Sequence, residues 1–515
     1  MKKLGGTTIS FLIAVLLFIP GLSQAQVSGG TVVYVAGADP DSLDPANAES
    51  NPSEAVNRMM YENLARFDEK LNIVPGLATR WEQAKDGMSW TFFLRKGVKF
   101  HDGTSFNAEA AKVFFERMIG PEKPSRAGLY TPFVSSVNVL DEYTLKVNMK
   151  APFAFFLNNL AHSASGIISP AALKTYGKDI SRRTVGTGPF KFVEWVHGDH
   201  LTMVRNHDYW GGKPYLDRIT VRTVKEDSAR VMMLQSGDAQ LIVRIPSEDI
   251  PRLDKDPNVK LDSTETLRVL FVQINCAKKP FTDVRVRQAV AHAIDKESIV
   301  KNIYQGRALV AQGMVAPLTT GYFPVQGLPY DPEKAKRLLA EAGFPNGLKA
   351  KFWSPQGRYP KDFEMAQAIQ QQFKKVGIDC TLETMEWAAY LAALRKPIET
   401  NESEIFLLGW APSSAEARWI LYPLFTTEQW IPQGNNRSFY SNKEFDDLVN
   451  KFTRATTKAD MDKYLMAAQE ILAREVPTTP VLVTKETIGY SKKLRGVINS
   501  PLELTYFDSK TYLEK

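Results

Sequence analysis

At 515 residues the chain holds about three domain-sized units, enough to bury sizeable cores without a covalent staple. Its 44% hydrophobic, 23% charged and 11% aromatic residues exclude a disordered, collagen-like or multi-pass membrane chain, and two cysteines, Cys276 and Cys380, cannot build a disulfide framework or a four-thiolate zinc site. A formal charge of +7 without a lysine- or arginine-rich block points to a solvated surface rather than a nucleic-acid partner.

The chain opens with Lys2 and Lys3, an apolar run over 11–22 and then Ser23-Gln24-Ala25, the order of a secretory signal peptide over residues 1–25. The run is short against the roughly 20 residues of a spanning helix, and Pro20-Gly21 breaks it. No cysteine follows to carry a lipid, so the mature chain is expected to be soluble, with a charge of +5 once two lysines are lost.

Beyond Ala25 strand and helix patterns alternate. TVVYVAG at 31–37 predicts a buried strand, and Val56, Met59, Met60 and Leu64 then recur at helical spacing. SWTFFLR at 89–95 is strand-like, and Asn107 with Glu109 starts a helix running through Met118. TLKVNM at 144–149 and ITVRTV at 219–224 alternate as half-buried strands do. In the second half, helices are expected over 283–306, from Asp331-Pro332 to Gly343, over 362–377, from Asn442 onward and over 458–475, before VLVT at 481–484 returns to strand. There is no fixed-period repeat and no low-complexity linker, so lobes of this mixed α/β chain exchange strands rather than hang on tethers.

A secreted hydrolase is the competing class, and its motifs are missing: no Gly-x-Ser-x-Gly elbow, His-Glu-x-x-His pair, Walker loop or Cys-x-x-Cys. His197, Asp199, His200 and His207 form the nearest metal-like spacing, in a turn where solvated residues are the commoner explanation. Gly186-Thr187-Gly188-Pro189 lacks the third glycine of a phosphate loop, and Pro189 removes a donor, so a tight crossover explains it better. What stands out is aromatic and polar material in turn-rich stretches, Trp410 to Trp419 and Gln433 to Arg437. An aromatic wall with a few oriented polar groups suits a small-molecule site.

SWTFFLRKGVKFHDGTSFNAEAAK at 89–112 resembles the signature of the family 5 extracellular solute-binding proteins, the peptide, nickel and glutathione receptors of ABC importers. Leu43-Asp44-Pro45, Val185 to Phe190, Lys279 to Ala289 and YDPEKAKRLLAEAGFPNG at 330–347 resemble further blocks of that family, in family order. Leu160-Ala161-His162, Ile168 to Leu173, Gly409-Trp410, Ser413 to Ala417 and Pro423-Leu424-Phe425 look most like its glutathione-binding branch. The resemblance implies an α/β, two-lobed periplasmic binding protein of the large, three-subdomain peptide-receptor type, with a hinge and an interlobe cleft. The expected division is a lobe I core over 26–69, 187–276 and 481–515, an accessory subdomain over 70–186 and lobe II over 277–480.

It further implies a non-catalytic periplasmic receptor without a cofactor or metal, monomeric, capturing glutathione or a similar short peptide for a membrane permease. A nickel-chelate or general peptide receptor of the same fold is the alternative. On that resemblance Arg268 is expected to grip a ligand carboxylate in two bonds, Trp410 to stack, Ser413, Ser414 and Asn436 to bond amides, and Leu43 to form the opposite wall. Ser413 stands where the family's dipeptide receptors have an aspartate, leaving Glu416 as the available carboxylate, and Arg418 stands where the glutathione-type pattern has an acid.

Overall fold

The computed structural model describes residues 29–514, so the expected signal segment lies outside the described residues. Among the described residues no helix is long and apolar enough to cross a membrane.

The strand expected near residue 31 forms as Thr31–Ala36 and pairs in parallel with Arg218–Thr223 and Leu241–Ile242. His200–Arg205 and Phe190–Val196 extend that edge antiparallel. At the other end of the sheet Leu348–Pro355 lies in parallel between Ile378–Met385 and Ile405–Trp410. Two long strands, Val259–Ile274 and Thr478–Ser491, run antiparallel to each other and join the two halves into one eleven-stranded sheet. Their pairing is regular from Val259 to Glu265, breaks, and resumes at Val269. Each strand serves two cores. Val481, Leu482 and Leu270, which the expected division put in lobe I, pack instead with Phe352, Ile369 and Phe373 of lobe II, whereas Ile488 and Tyr490 pack with Val32, Met59, Leu201 and Ile219 in lobe I. The two cores are therefore joined by shared strands rather than by a tether.

An accessory sheet, Ala78–Gln83, Ser89–Leu94, Thr144–Met149 and Val134–Asp141 with the second and third adjacent, packs on the helix Ala108–Ile119. Asn107 caps that helix as expected, its side chain accepting from Ala110 N at 3.1 Å. The alternation of both inner strands puts Trp90, Phe92, Leu145 and Val147 inward, where Phe92, Phe115 and Tyr130 meet Phe156. This subdomain also touches lobe II. Phe155 packs edge-on to Phe452, Ala154 N donates to Thr453 O at 2.9 Å, and Asn158 Nδ2 donates to Ser414 O at 3.1 Å.

The helix expected over 283–306 is two helices, Val284–His292 and Lys296–Asn302. Asp295 interrupts it, because its carboxylate accepts from Ser298 N and so caps a new start. Val286, Val290, Ala293 and Ile294 still face the core, which is why the period alone gave no sign of the break. The helices Pro332–Glu341, Asp362–Lys375, Lys443–Thr453 and Lys458–Glu475 match expectation, the first and third capped by Asp331 and Asn442.

Gly186 and Gly188 sit against the end of the helix Asn51–Met60, where Gly188 N donates to Met60 O at 3.0 Å. A Cβ on Gly188 would stand 2.6 Å from the Met60 carbonyl carbon, so close backbone approach, not phosphate binding, requires glycine here. We expect Gly188→Ala to lower the unfolding free energy by about 1–3 kcal/mol in urea denaturation, and an unchanged midpoint would show that the contact relaxes at no cost.

Candidate functional site

The parallel strands of both lobes direct their carboxyl ends at the gap between them, the edge where open α/β sheets bind ligands. In lobe II the chain leaves Leu348–Pro355, Ile378–Met385 and Ile405–Trp410 on the side where Val269 pairs with Trp410, immediately beyond the register break. In lobe I, Thr31–Ala36 and Leu241–Ile242 end on the side where Arg244 reaches Glu486 at 3.8 Å.

The lobe II edge is aromatic and cationic. Tyr359, in the loop after Leu348–Pro355, ties its hydroxyl to both Gly409 N (3.0 Å) and Gly409 O (3.2 Å), which fixes the start of the Trp410 loop. Arg358 lies 5.2 Å from the Tyr359 ring centre and 5.1 Å from that of Trp387, and the two rings meet edge to face. The Arg358 guanidinium makes no ion pair with the described residues. Arg437 is 4% exposed, bonds only Asn435 O and Asn435 Oδ1 through its guanidinium, and has no carboxylate beside it among the described residues. Burial, helped by the nearby charge of Arg395, pulls Arg437 down to about 10.

The expected site residues are distributed unevenly. Trp410 is half-buried at this edge, its indole N–H donating to Trp419 O at 2.9 Å, and Ser413 is half-buried with its hydroxyl unbonded by the described residues. Ser414 is fully enclosed and donates to Glu416 Oε1 at 3.2 Å, leaving Glu416 Oε2 buried without a partner. Arg268 does sit at the crevice, but its two-bond grip is on the chain's own Glu503, at 2.7 and 2.8 Å, so it is not the free guanidinium. Leu43 has no exposed surface and packs in the lobe I core with Val56 and Met59, so it forms no cleft wall. Asn436 is likewise enclosed; its amide donates to Thr426 O and Tyr440 O and its carbonyl accepts from Ser438, which commits it to shaping its loop. Arg418 faces the accessory subdomain, stacked among Phe133, Phe153 and Tyr422. Sequence reading singled out neither Arg358, Tyr359 nor Glu503. A position just past the carboxyl end of a parallel strand is the signal that finds the first two.

Of the histidines of the 197–207 stretch, two are engaged by carboxylates of the chain and His207 is exposed. His197 Nδ1 meets Asp39 at 2.6 Å, and His200 meets Asp199 and Glu194. Cys276 and Cys380 are free thiols, both pushed up to about 12 by burial, so they carry no reactive thiolate.

Two lobes sharing a hinged sheet, with an aromatic and cationic edge facing the gap, define a solute receptor that encloses its ligand. The chain belongs to the bacterial extracellular solute-binding proteins, family 5, whose family model matches residues 72–431. It is therefore a solute-binding protein of an ABC transporter rather than an enzyme. It is 35% identical over 478 residues to the glutathione-binding protein GsiB of Escherichia coli (strain K12), covering 92% of this chain and 93% of that one. Among solved structures it resembles the periplasmic binding protein DppA of Helicobacter pylori in complex with the peptide STSA, at 31% identity and a TM-score of 0.76 over 95% of this chain and 99% of that one. HbpA2 of Haemophilus parasuis superimposes with a TM-score of 0.84 at 28% identity, over 94% and 100%.

Two outcomes follow from the electrostatics. Burial pushes Glu503 up, but the charge and hydrogen bonds of Arg268 outweigh it and hold the carboxyl below its usual range. Arg268→Met strands that carboxylate, and we expect a loss of about 3–5 kcal/mol in denaturant unfolding; a near-neutral variant would contradict the pair's role. Glu416 is raised to about 7 by burial, against the opposing charge of Arg418, and Glu486 to about 7 by burial and then by Glu503. A raised carboxyl favours folding below its ordinary range, and that contribution is lost as pH rises through about 7. Stability should therefore fall between about pH 5 and 8, and less steeply in Glu416→Gln, as followed by thermal midpoints across that range.

Proposed function

We propose that this protein captures glutathione or a similar short anionic peptide between its two lobes in the periplasm, as a monomer, and delivers it to the membrane permease of an ABC importer. Residues 1–25 serve as its cleaved export signal. The observation that carries the ligand class is Arg437, a buried guanidinium without a carboxylate among the described residues. Leaving such a charge unpaired is costly, and a ligand carboxylate supplies the partner. Arg358, held over Tyr359 and Trp387, provides a second guanidinium for a dicarboxylate peptide such as glutathione. Trp410 offers an apolar face, and Ser413 an unbonded hydroxyl for a peptide amide. The 35% identity to GsiB supports glutathione as the first candidate, while the likeness to the DppA complex keeps a general peptide receptor as the alternative.

The test is thermal unfolding of the purified, ligand-stripped protein against reduced and oxidised glutathione, the peptide STSA, uncharged peptide amides and nickel. A ligand at about 100 times its dissociation constant adds roughly 2.7 kcal/mol, a visible rise in midpoint. We expect glutathione to raise it, and Arg437→Met to weaken that ligand about tenfold or more. A response to STSA or nickel without glutathione would overturn the glutathione reading, and equal binding by acid and amide would overturn the arginine reading.

A further inference from the structure

A second cavity lies within lobe II, built from none of the residues assigned to the cleft. It measures about 40 Å³ and is closed by the end of the helix Lys458–Glu475, the start of the strand Thr478–Ser491 and the loop around Gly313 and Leu328. Its walls are mainly apolar, with Met314, Leu328, Leu472 and Val476 among them. Five polar residues interrupt that lining; Gln312, Gln469 and Thr478 are hydrogen-bonded within the chain, which leaves two to account for. Thr479 is 3% exposed, and its hydroxyl has no hydrogen-bond partner. Lys296, the first residue of the helix Lys296–Asn302, has no ion pair among the described residues. A Cβ built on Gly327 would lie 3.5 Å from its Nζ, an ordinary contact distance, which places the ammonium beside the Gly327 wall of the cavity.

Both groups are in the wrong place for an empty pocket. A cation at a helix N-terminus meets the positive end of the dipole. Burial alone pulls this ammonium down to about 8, with no neighbouring charge acting to restore it. A buried hydroxyl without a partner forfeits its desolvation cost as well. An anionic group placed between the two satisfies both at once. The volume is that of a few water molecules, or of one carboxylate with its adjoining carbon. The cavity shares Val325, Leu328 and Ala473 with an open groove of about 580 Å³ that runs past Phe323 and the exposed Met466. A ligand anchored by its acid end thus has a path outward along Val325, Leu328 and Ala473, in a groove whose lining also carries Glu470 and Arg474.

We propose that this cavity is a second, independent site for a small aliphatic monocarboxylate, whose carboxylate takes Lys296 Nζ and Thr479 Oγ1 and whose chain follows the groove at Val325 and Leu328. It is separate from the peptide site and does not rest on the ligand assigned there.

Calorimetric titration of the ligand-stripped protein with butyrate, hexanoate and hexanamide tests it. Hexanoate should bind at least about tenfold more tightly than hexanamide, and Lys296→Met should abolish that preference. The Lys296→Met protein removes an unpaired charge, so it should unfold no earlier than the parent and bind the cleft ligand unchanged. Thr479→Val, nearly the same shape, should weaken hexanoate by a smaller factor. No heat from either carboxylate, equal binding of acid and amide, or a preference that survives Lys296→Met would each overturn the proposal.

Discussion

Everything that this molecule does at its cleft depends on the pairing of Val259–Ile274 with Thr478–Ser491. A sheet that continues through both lobes gives the chain one backbone frame, interrupted between Glu265 and Val269 and again between Leu270 and Phe271, where it can bend. A register break removes ladder hydrogen bonds locally and lets the strand twist, so flexibility is confined to a few residues while both cores stay rigid. Closure is then a movement of packed bodies, and a ligand favours the closed form only through the contacts it makes there with both.

The same crossing concentrates charge. Arg268 emerges from the break and is held by Glu503, with Glu486 and Arg244 close by and Arg358 and Arg437 acting on Tyr359 from lobe II. Within this group Glu503 is taken up by Arg268, and the two lobe II guanidiniums without an acid beside them among the described residues are Arg358, exposed on the rim, and Arg437, which is buried. Arginine suits that rim because its planar donors match a carboxylate and its face stacks on Tyr359 and Trp387. The accessory subdomain adds contact from the far side through Asn158 and Phe155, and Arg418 serves that contact through its aromatic cage rather than the ligand rim.

Local chemistry was legible in the sequence and long-range pairing was not. Asn107, Asp331 and Asn442 announced helix starts because a cap is decided within three residues. Family-like blocks marked the fold, and the crossover glycines at 186 and 188 declared a close approach. Arg268 was placed at the crevice, yet its partner Glu503 lies 235 residues further along, beyond any local pattern. Leu43 and Asn436 have the residue types of a wall and an amide binder, but tertiary packing encloses both. Arg437 stood in a stretch marked as ligand-like, and only the folded chain shows that it is buried without an acid.

Small-angle X-ray scattering of the ligand-stripped protein, with and without saturating peptide ligand, tests the hinged-receptor account most directly. The account predicts a smaller radius of gyration on ligand addition in the parent protein, and little change at the same ligand concentration in Arg437→Met. Scattering that stays the same while calorimetry shows the peptide bound would contradict closure about the strand crossing.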